Sequence, residues 1–420
     1  MSARRALPAG ALLLLAACSA PWVGLWNPNG VADTGLYGLY GGNIAHGLVP
    51  YRDFFMEFPP GAIPALALPA LPGAHYVSWF KGFEFMCAVG TLACLVSILA
   101  RVARSRNAFY AAVGIAAVAP AVLGAIALNS FDYWPAFLTT ASIAALLAGH
   151  RRTGFALLGG ATAAKLFPAG LLAVALLYEA RRSGRRWRDS LAVYLGAVAL
   201  VFAPFAIIAP GGLRFSLRTQ LARGLQLESL GGALFAAAHH LGGYRPRYTP
   251  NLAYAQLSGS AATAVADLST AVMAAAILWV AWLYARSQGD GEDFVLAVAA
   301  TVVGIVAFAK VLSPQYLVWL IAFVAAVATS VGVAGPLLLL LALGLTQIWV
   351  PGRFDQLQAM DWVTWVLLAR DLVLVALFGV LVAALRDRVP GDAEAATRAA
   401  RTATRPWRRR TTPGLPDRTA

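Results

Sequence analysis

Long apolar runs alternate with short polar breaks along almost the whole chain. Runs at residues 8–26, 75–100, 108–128, 135–149, 191–209, 261–285, 294–309, 315–329, 331–350 and 362–385 carry few charges and are edged by Arg, Pro, Trp and Tyr. Stretches of roughly 17 to 28 residues suit helices crossing a hydrocarbon layer about 30 Å thick. The pattern therefore predicts an all-α polytopic membrane protein with about ten full crossings. Two further segments break the rule. Residues 61–71 are too short to cross, and a full crossing there would put Arg101, Arg104 and Arg106 on the wrong side, so the segment reads as re-entrant or half-spanning. Residues 154–179 have arginines at both ends and Lys165-Leu-Phe-Pro168 in the middle. Pro168 removes a backbone donor, so this segment is expected to be a broken helical hairpin with Lys165 near its tip.

Composition agrees with that picture and narrows it. Sixty per cent of the 420 residues are hydrophobic and only 12% are charged, far below the charge a soluble surface needs. Mean hydropathy is +0.68. A net charge of +14 raises the question of nucleic acid, yet the basic residues fall in short loops and at the carboxyl end, where topology alone calls for them. No nucleic-acid partner is implied; membrane lipids are. Cys18, Cys87 and Cys94 have neither metal-site nor disulfide-framework spacing. Residues 1–20 imitate a secretory leader, but the apolar character continues to Trp26, so the reading is an uncleaved first helix. The chain then divides into one transmembrane domain, 1–385, and a basic tail, 386–420, expected to be disordered and cytoplasmic, with six arginines around Trp407 available to anionic headgroups.

With both termini inside, two polar regions fall outside: residues 27–60 and residues 210–258. The first is glycine-rich and holds Asp33, Arg52, Asp53 and Glu57; the second holds Arg223, Gln226, Glu228, His239 and His240. A third polar patch, Lys310-Val-Leu-Ser313-Pro-Gln315-Tyr316, faces the same way. One outward chamber can gather all three. Lysine usage sharpens the reading, because only Lys81, Lys165 and Lys310 interrupt an otherwise all-arginine basic set. Lys165 and Lys310 sit within or beside apolar segments, where a cation is costly and usually faces a functional cavity; the alternative is a side chain snorkelling to the interface. Asp33 is read either as the N-cap of a short interfacial helix with Leu36, Tyr40 and Ile44 on one face, or as a general base at the outer end of the first helix, the second being preferred. Asp53 and Glu57 are read as a local ion-paired turn or as alternative bases. His239-His240 lacks acidic or cysteine partners at metal spacing, and no metal or cofactor is expected.

Tyr51-Arg52-Asp53-Phe54 followed by Glu57-Phe58-Pro59-Pro60 resembles the "PYRDF…EYPP" signature of bacterial GT-C membrane glycosyltransferases, the polyprenol-phosphate-mannose-dependent α-mannosyltransferases. Phe58 stands where that signature has Tyr. Lys165-Leu-Phe-Pro168, Arg223-Gly-Leu-Gln226-Leu-Glu228-Ser229 and Ser313-Pro-Gln315-Tyr316-Leu-Val-Trp319 are similar to later motifs of the family, in the same order. The resemblance implies a GT-C fold in the bacterial cytoplasmic membrane with the site facing outward. It also implies inverting transfer of a sugar, most often mannose, from a polyprenyl-phosphate donor to a lipid or glycan acceptor. Asp33 fits the family's base by position. Lys165, Arg223 and Lys310 are then candidates for the donor phosphate, and Tyr51, Arg52, Asp53, Glu57, Gln226, Glu228, Gln315 and Tyr316 for sugar or acceptor binding or for shaping the loop. The rival from another class is a secondary transporter or lipid flippase, whose broken helices and intramembrane lysines look alike at this level. A third, inactive-scaffold reading stays open.

Overall fold

A computed structural model describes residues 3–23, 33–249 and 255–390. Part of the first loop, residues 27–32, and the tail beyond 390 lie outside the described residues. The first half contains α1 (Ala3–Ser19), α2 (Asp33–Ala45), α3 (Ile63–Ala67), α4 (Tyr76–Val102), α5 (Arg106–Leu123), α6 (Tyr133–Leu147), α7 (Arg151–Ala164), α8 (Leu172–Ser183) and α9 (Trp187–Ile208). Then follow α10 (Pro210–Leu221), α11 (Leu230–Gly242), a two-residue-per-strand hairpin of β1 (Arg247–Tyr248) and β2 (Leu257–Ser258), α12 (Ser260–Arg286) and α13 (Gly291–Phe308). The chain ends in α14 (Val318–Ala326), α15 (Ala328–Val331), α16 (Ala334–Trp349), α17 (Phe354–Gln358) and α18 (Val363–Arg386).

Six helices are long and apolar enough to span a membrane: α4, α5 with its 3₁₀ extension to Leu128, α9, α12, α13 and α18. The protein is thus an all-α, multi-pass membrane protein. Four of the runs expected to cross fully, those in α1, α6, α14 and α16, form helices of at most 17 residues. At 1.5 Å per residue such helices reach roughly 14–26 Å, short of a layer about 30 Å thick. Hydropathy counts apolar residues whether or not they are helical. The run at 315–329 shows why: it opens as a 3₁₀ turn at Pro314 and breaks again at Val327 before α15.

The two segments read as partial crossings are broken helices. Residues 60–71 alternate 3₁₀ and α turns, each opened by a proline near its start. In the other, α7 stops at Ala164, Lys165 takes an extended backbone, and a 3₁₀ turn containing Pro168 leads into α8. The far ends of its two arms meet. Arg151 at the start of α7 lies 3.9 Å from Glu179 on α8 and donates to the carbonyl of Arg186 at 2.8 Å. Residues 210–258, expected as a loop, instead carry α10, α11 and the β-hairpin, and form a small separate core with Trp349, Leu357 and Leu367.

Helices α13 and α14 lie at the centre, buried along nearly their whole lengths, while α4, α5, α8, α16 and α18 pack around them. By contrast α9 is almost unburied, and Leu195, Leu200 and Ile207 face outward, the surface expected of a helix against lipid. One end of the bundle gathers arginines with a few acids: Arg104 pairs with Glu292, and Arg388 bridges Glu292 and Asp293. The polar clusters singled out in the sequence collect at the other end.

Candidate functional site

At that other end α2, the loop after it, the α7–α8 break, the α10–α11 segment and the turn before α14 enclose a cavity of about 520 Å³. The local sequence explains how each part arrives there. Tyr37, Tyr40 and Gly41 bury one face of α2, so its Asp33 end turns toward the cavity. This differs from the expected Leu36, Tyr40 and Ile44 face: Leu36 is exposed and lines the cavity instead. Gly61 lets the loop exit lie on the backbone of α7, because a Cβ there would come within 2.6 Å of three backbone atoms of Ala163 and Ala164, next to Lys165. Gly212 does the same for Tyr51, whose carbonyl oxygen would sit 1.8 Å from a Cβ at that position. Tyr51 itself has φ of 67°, and its hydroxyl donates to the Phe58 carbonyl at 2.6 Å. It shapes the loop from outside the cavity.

The carboxyl of Asp33 receives the Tyr37 hydroxyl at 3.3 Å and the Gln315 side-chain amide at 3.5 Å. No cation contacts it among the described residues. Burial, and after it the nearby Asp132 carboxylate, push its pKa above the usual carboxylate range. Glu57 meets Arg223 at 3.0 Å, and its carbonyl takes the Gln220 amide at 2.7 Å. Burial raises the pKa of Glu57 too, with the Arg223 charge working in the opposite direction.

Lys165 lies at the break, and its ammonium is 2.6 Å from Asp132 Oδ1. The same oxygen accepts the Trp319 indole N–H at 2.7 Å. Phe131, Tyr316 and Trp319 present ring faces to the ammonium at 4.7, 4.7 and 5.1 Å. Trp319 is in turn stacked between Phe167 and Tyr316. Behind Asp132, the fully buried Glu84 accepts the backbone N–H of Tyr133 at the start of α6 and fixes that turn.

Of the residues singled out in the sequence, Asp33, Glu57, Lys165, Arg223, Gln226, Gln315 and Tyr316 line the cavity together. Five others stand apart from it. Tyr51 supports the loop; Arg52 and Asp53 form an exposed pair at 2.9 Å, which lowers the Asp53 pKa to about 2 and ties it to the backbone of Val49. Lys310 does not reach the cavity: its ammonium bonds the carbonyl of Leu221 at 3.4 Å, while its own carbonyl takes the Gln226 N–H. Glu228 is buried beside Arg370, where burial raises its pKa to about 7.

Asp132 and Glu84 were missed as site residues. Asp132 was visible as an acid in an otherwise apolar turn, Asn129-Ser-Phe-Asp132-Tyr-Trp, but nothing in the spacing links it to a lysine 33 positions later.

The fold and the cavity define a class: an all-α membrane protein with a half-buried, charge-lined chamber at one end of its bundle. Neither the protein-family models nor the curated proteins give a match for the chain.

Proposed function

We propose that this protein is a membrane glycosyltransferase. It moves a sugar, mannose by resemblance, from a polyprenyl-phosphate donor to a hydroxyl of a lipid or glycan acceptor, with inversion. The observation that carries the reading is Asp33: among the described residues it is a cavity carboxylate with no cation on it, while the cavity cations Lys165 and Arg223 have carboxylate partners. That is the state a general base needs. Its raised pKa strengthens it as a proton acceptor.

In the step, the acceptor oxygen attacks the anomeric carbon as its proton passes to Asp33. The bond from that carbon to the phosphate oxygen breaks, and polyprenyl phosphate leaves with the electron pair. No strong acid is needed, because the leaving phosphate is a stabilised anion, and charge growing on it meets Arg223 and Lys165. Leu166, Gly170, Met273, Ile277, Ile305 and Val306 form an apolar flank of the cavity that suits the isoprenoid chain. The arginines gathered at the opposite end support an outward orientation of the site.

The test is turnover of radiolabelled polyprenyl-phosphate mannose by the purified protein in nanodiscs with a synthetic mannoside acceptor. Asp33→Asn is expected to abolish transfer while leaving donor binding intact. Near-normal turnover by that variant removes Asp33 as the base. The break at Lys165, with a buried ion pair beside it, also favours a secondary transporter. Sugar release in detergent, with no gradient, separates the two readings.

A further inference from the structure

The most costly unexplained feature outside the cavity is a buried charged node. Arg370 and Asp371 on α18, Glu228 on the segment after α10, and Trp349 at the end of α16 are each at most 4% exposed. Arg370 Nη2 donates to the Glu228 carbonyl at 2.7 Å, and its Nε lies 2.9 Å from Asp371 Oδ1. The guanidinium also sits over the Trp349 ring, 5.5 Å from its centroid. Among the described residues Glu228 Oε2, Trp349 Nε1, Arg370 Nε and Nη1 and both Asp371 carboxylate oxygens have no hydrogen-bond partner, so Arg370 and Asp371 meet as an ion pair without a hydrogen bond. Removing three charges from water costs several kcal/mol per ion before any pairing, so a node of this kind is weak as a source of stability. What it contacts is informative.

Arg370 grips the segment 222–229, which connects α10 to α11 and carries Arg223 and Gln226 into the cavity wall. Other contacts hold the same segment as a shaped strip. The Gln226 N–H bonds the Lys310 carbonyl at 2.9 Å, and the Leu227 N–H bonds the Ala255 carbonyl at 2.8 Å. The Gly224 N–H bonds the Gln256 side chain at 2.9 Å. The strip is pressed so closely on α11 that a Cβ at Gly232 would meet the Gln226 carbonyl at 2.2 Å. Every one of these contacts except the Arg370 clamp is made by neutral groups.

We propose that Arg370 is a positioning residue for the cavity. Held by Asp371 and by the Trp349 ring, it fixes the carbonyl of Glu228 and so sets the strip from which Arg223 reaches Glu57 and the donor phosphate. The kinetic part rests on the glycosyl-transfer reading, whereas the clamp on the strip does not.

The experiment uses the full chain in nanodiscs, with Arg370→Met, Arg370→Lys and the charge-neutral double variant Arg370→Met/Asp371→Asn. Hydrogen exchange of the backbone amides of residues 224–229 needs no substrate. It is expected to speed up about tenfold or more in the Met variants, as for loss of one charged hydrogen bond, and to be partly restored by Lys. The exchange of α13 is expected to stay unchanged. With decaprenyl-phosphate mannose as donor, KM is expected to rise by about tenfold in the double variant with kcat kept, and this rise is expected to vanish in an Arg223→Ala background. Unchanged exchange at 224–229 overturns the proposal, and so does a KM effect that adds to that of Arg223→Ala. If the native protein transfers no sugar from any polyprenyl phosphate, the transfer reading fails, and the exchange result alone decides the role of Arg370. If Arg370→Met does not fold, the double variant, which leaves only Glu228, whose carboxyl burial already pushes up to about 7 and which can take a proton, supplies the same measurement.

Discussion

Removing Lys165 or Asp132 is expected to have unequal consequences, and the inequality follows from where each charge sits. The two are 2.6 Å apart, with Asp132 fully buried and the lysine side chain 15% exposed at the cavity edge. At an effective dielectric of about 20 the gross attraction at that distance is about 6 kcal/mol, most of it offset by desolvation. Lys165→Met leaves the buried Asp132 carboxyl without its cation, with only the Trp319 N–H on it and Oδ2 bare among the described residues. Breaking a buried pair in this way costs about 3–5 kcal/mol. In Asp132→Asn the amide oxygen still accepts from Lys165 and Trp319, and the ammonium keeps three ring faces and cavity water. That loss is about 1–2 kcal/mol. The double variant strands no charge and is expected near Asp132→Asn, about 2–3 kcal/mol more stable than Lys165→Met, which is a coupling of about 3–5 kcal/mol. Heating the detergent-solubilised protein and following the monodisperse fraction gives the assay. Extending the dependence of unfolding entropy on length to a chain of this size, each kcal/mol moves Tm by about 1–2 °C. Lys165→Met is thus expected roughly 3–10 °C below the native protein, with the double variant recovering more than half of the loss. Equal losses in the two single variants, or a double variant as unstable as Lys165→Met, refute the reasoning.

Other expectations follow from the same geometry. The ionised Asp33 is the active form and burial raises its pKa, so kcat/KM is expected to fall as pH drops through a value above the ordinary carboxylate range; an acid limb at the ordinary value contradicts the assigned environment. Glu57→Gln leaves Arg223 without its counter-charge and is expected to lower the KM for a phosphate-bearing donor, whereas Arg223→Gln raises it; steady-state kinetics at fixed acceptor checks both signs. Gly212→Ala drives a methyl into the Tyr51 carbonyl and is expected to cost about 1–3 kcal/mol or more, read as a lower Tm, while Gly211→Ala, where nothing lies within 4 Å, is expected to be neutral.

The membrane class was legible because burial of backbone in lipid leaves a chain few options, and hydropathy records the consequence directly. The α7–α8 break was legible for a local reason as well: Lys165 and Pro168 sit where a straight helix cannot keep them. Gathering of the three polar patches was readable once the loops had been assigned to one side. What the sequence did not reveal were pairings across the fold. Lys165 with Asp132 and Glu57 with Arg223 join residues 33 and 166 positions apart, and neither pair has a local signature. Lys310 misled because scarcity marked it, but its side chain turns toward Leu221 rather than the cavity. Glu228 lies in the motif two residues after Gln226, but the chain turns at 227–228, closed by the Ser229 N–H on the Gln226 carbonyl at 3.2 Å, so Gln226 lines the cavity while Glu228 lies at the Arg370 node.

The charge balance of the cavity carries one more consequence. With Asp33 and Glu57 on the wall and Asp132 buried behind it, three acids stand against the two bases Lys165 and Arg223 among the described residues. A phosphate therefore gains nothing from net charge and must win a cation from its carboxylate partner. Of the two, Arg223 is the one that can be won, since Glu57 is 22% exposed and can take up water or a proton as the guanidinium turns. Lys165 is held by a carboxylate that water does not reach. On this argument Arg223 carries the ground-state hold on the donor phosphate, and Lys165 acts through its fixed field on charge that appears as the bond breaks. Substitution of Arg223 is then expected to appear mainly in KM and of Lys165 mainly in kcat, and the reverse pattern contradicts the division.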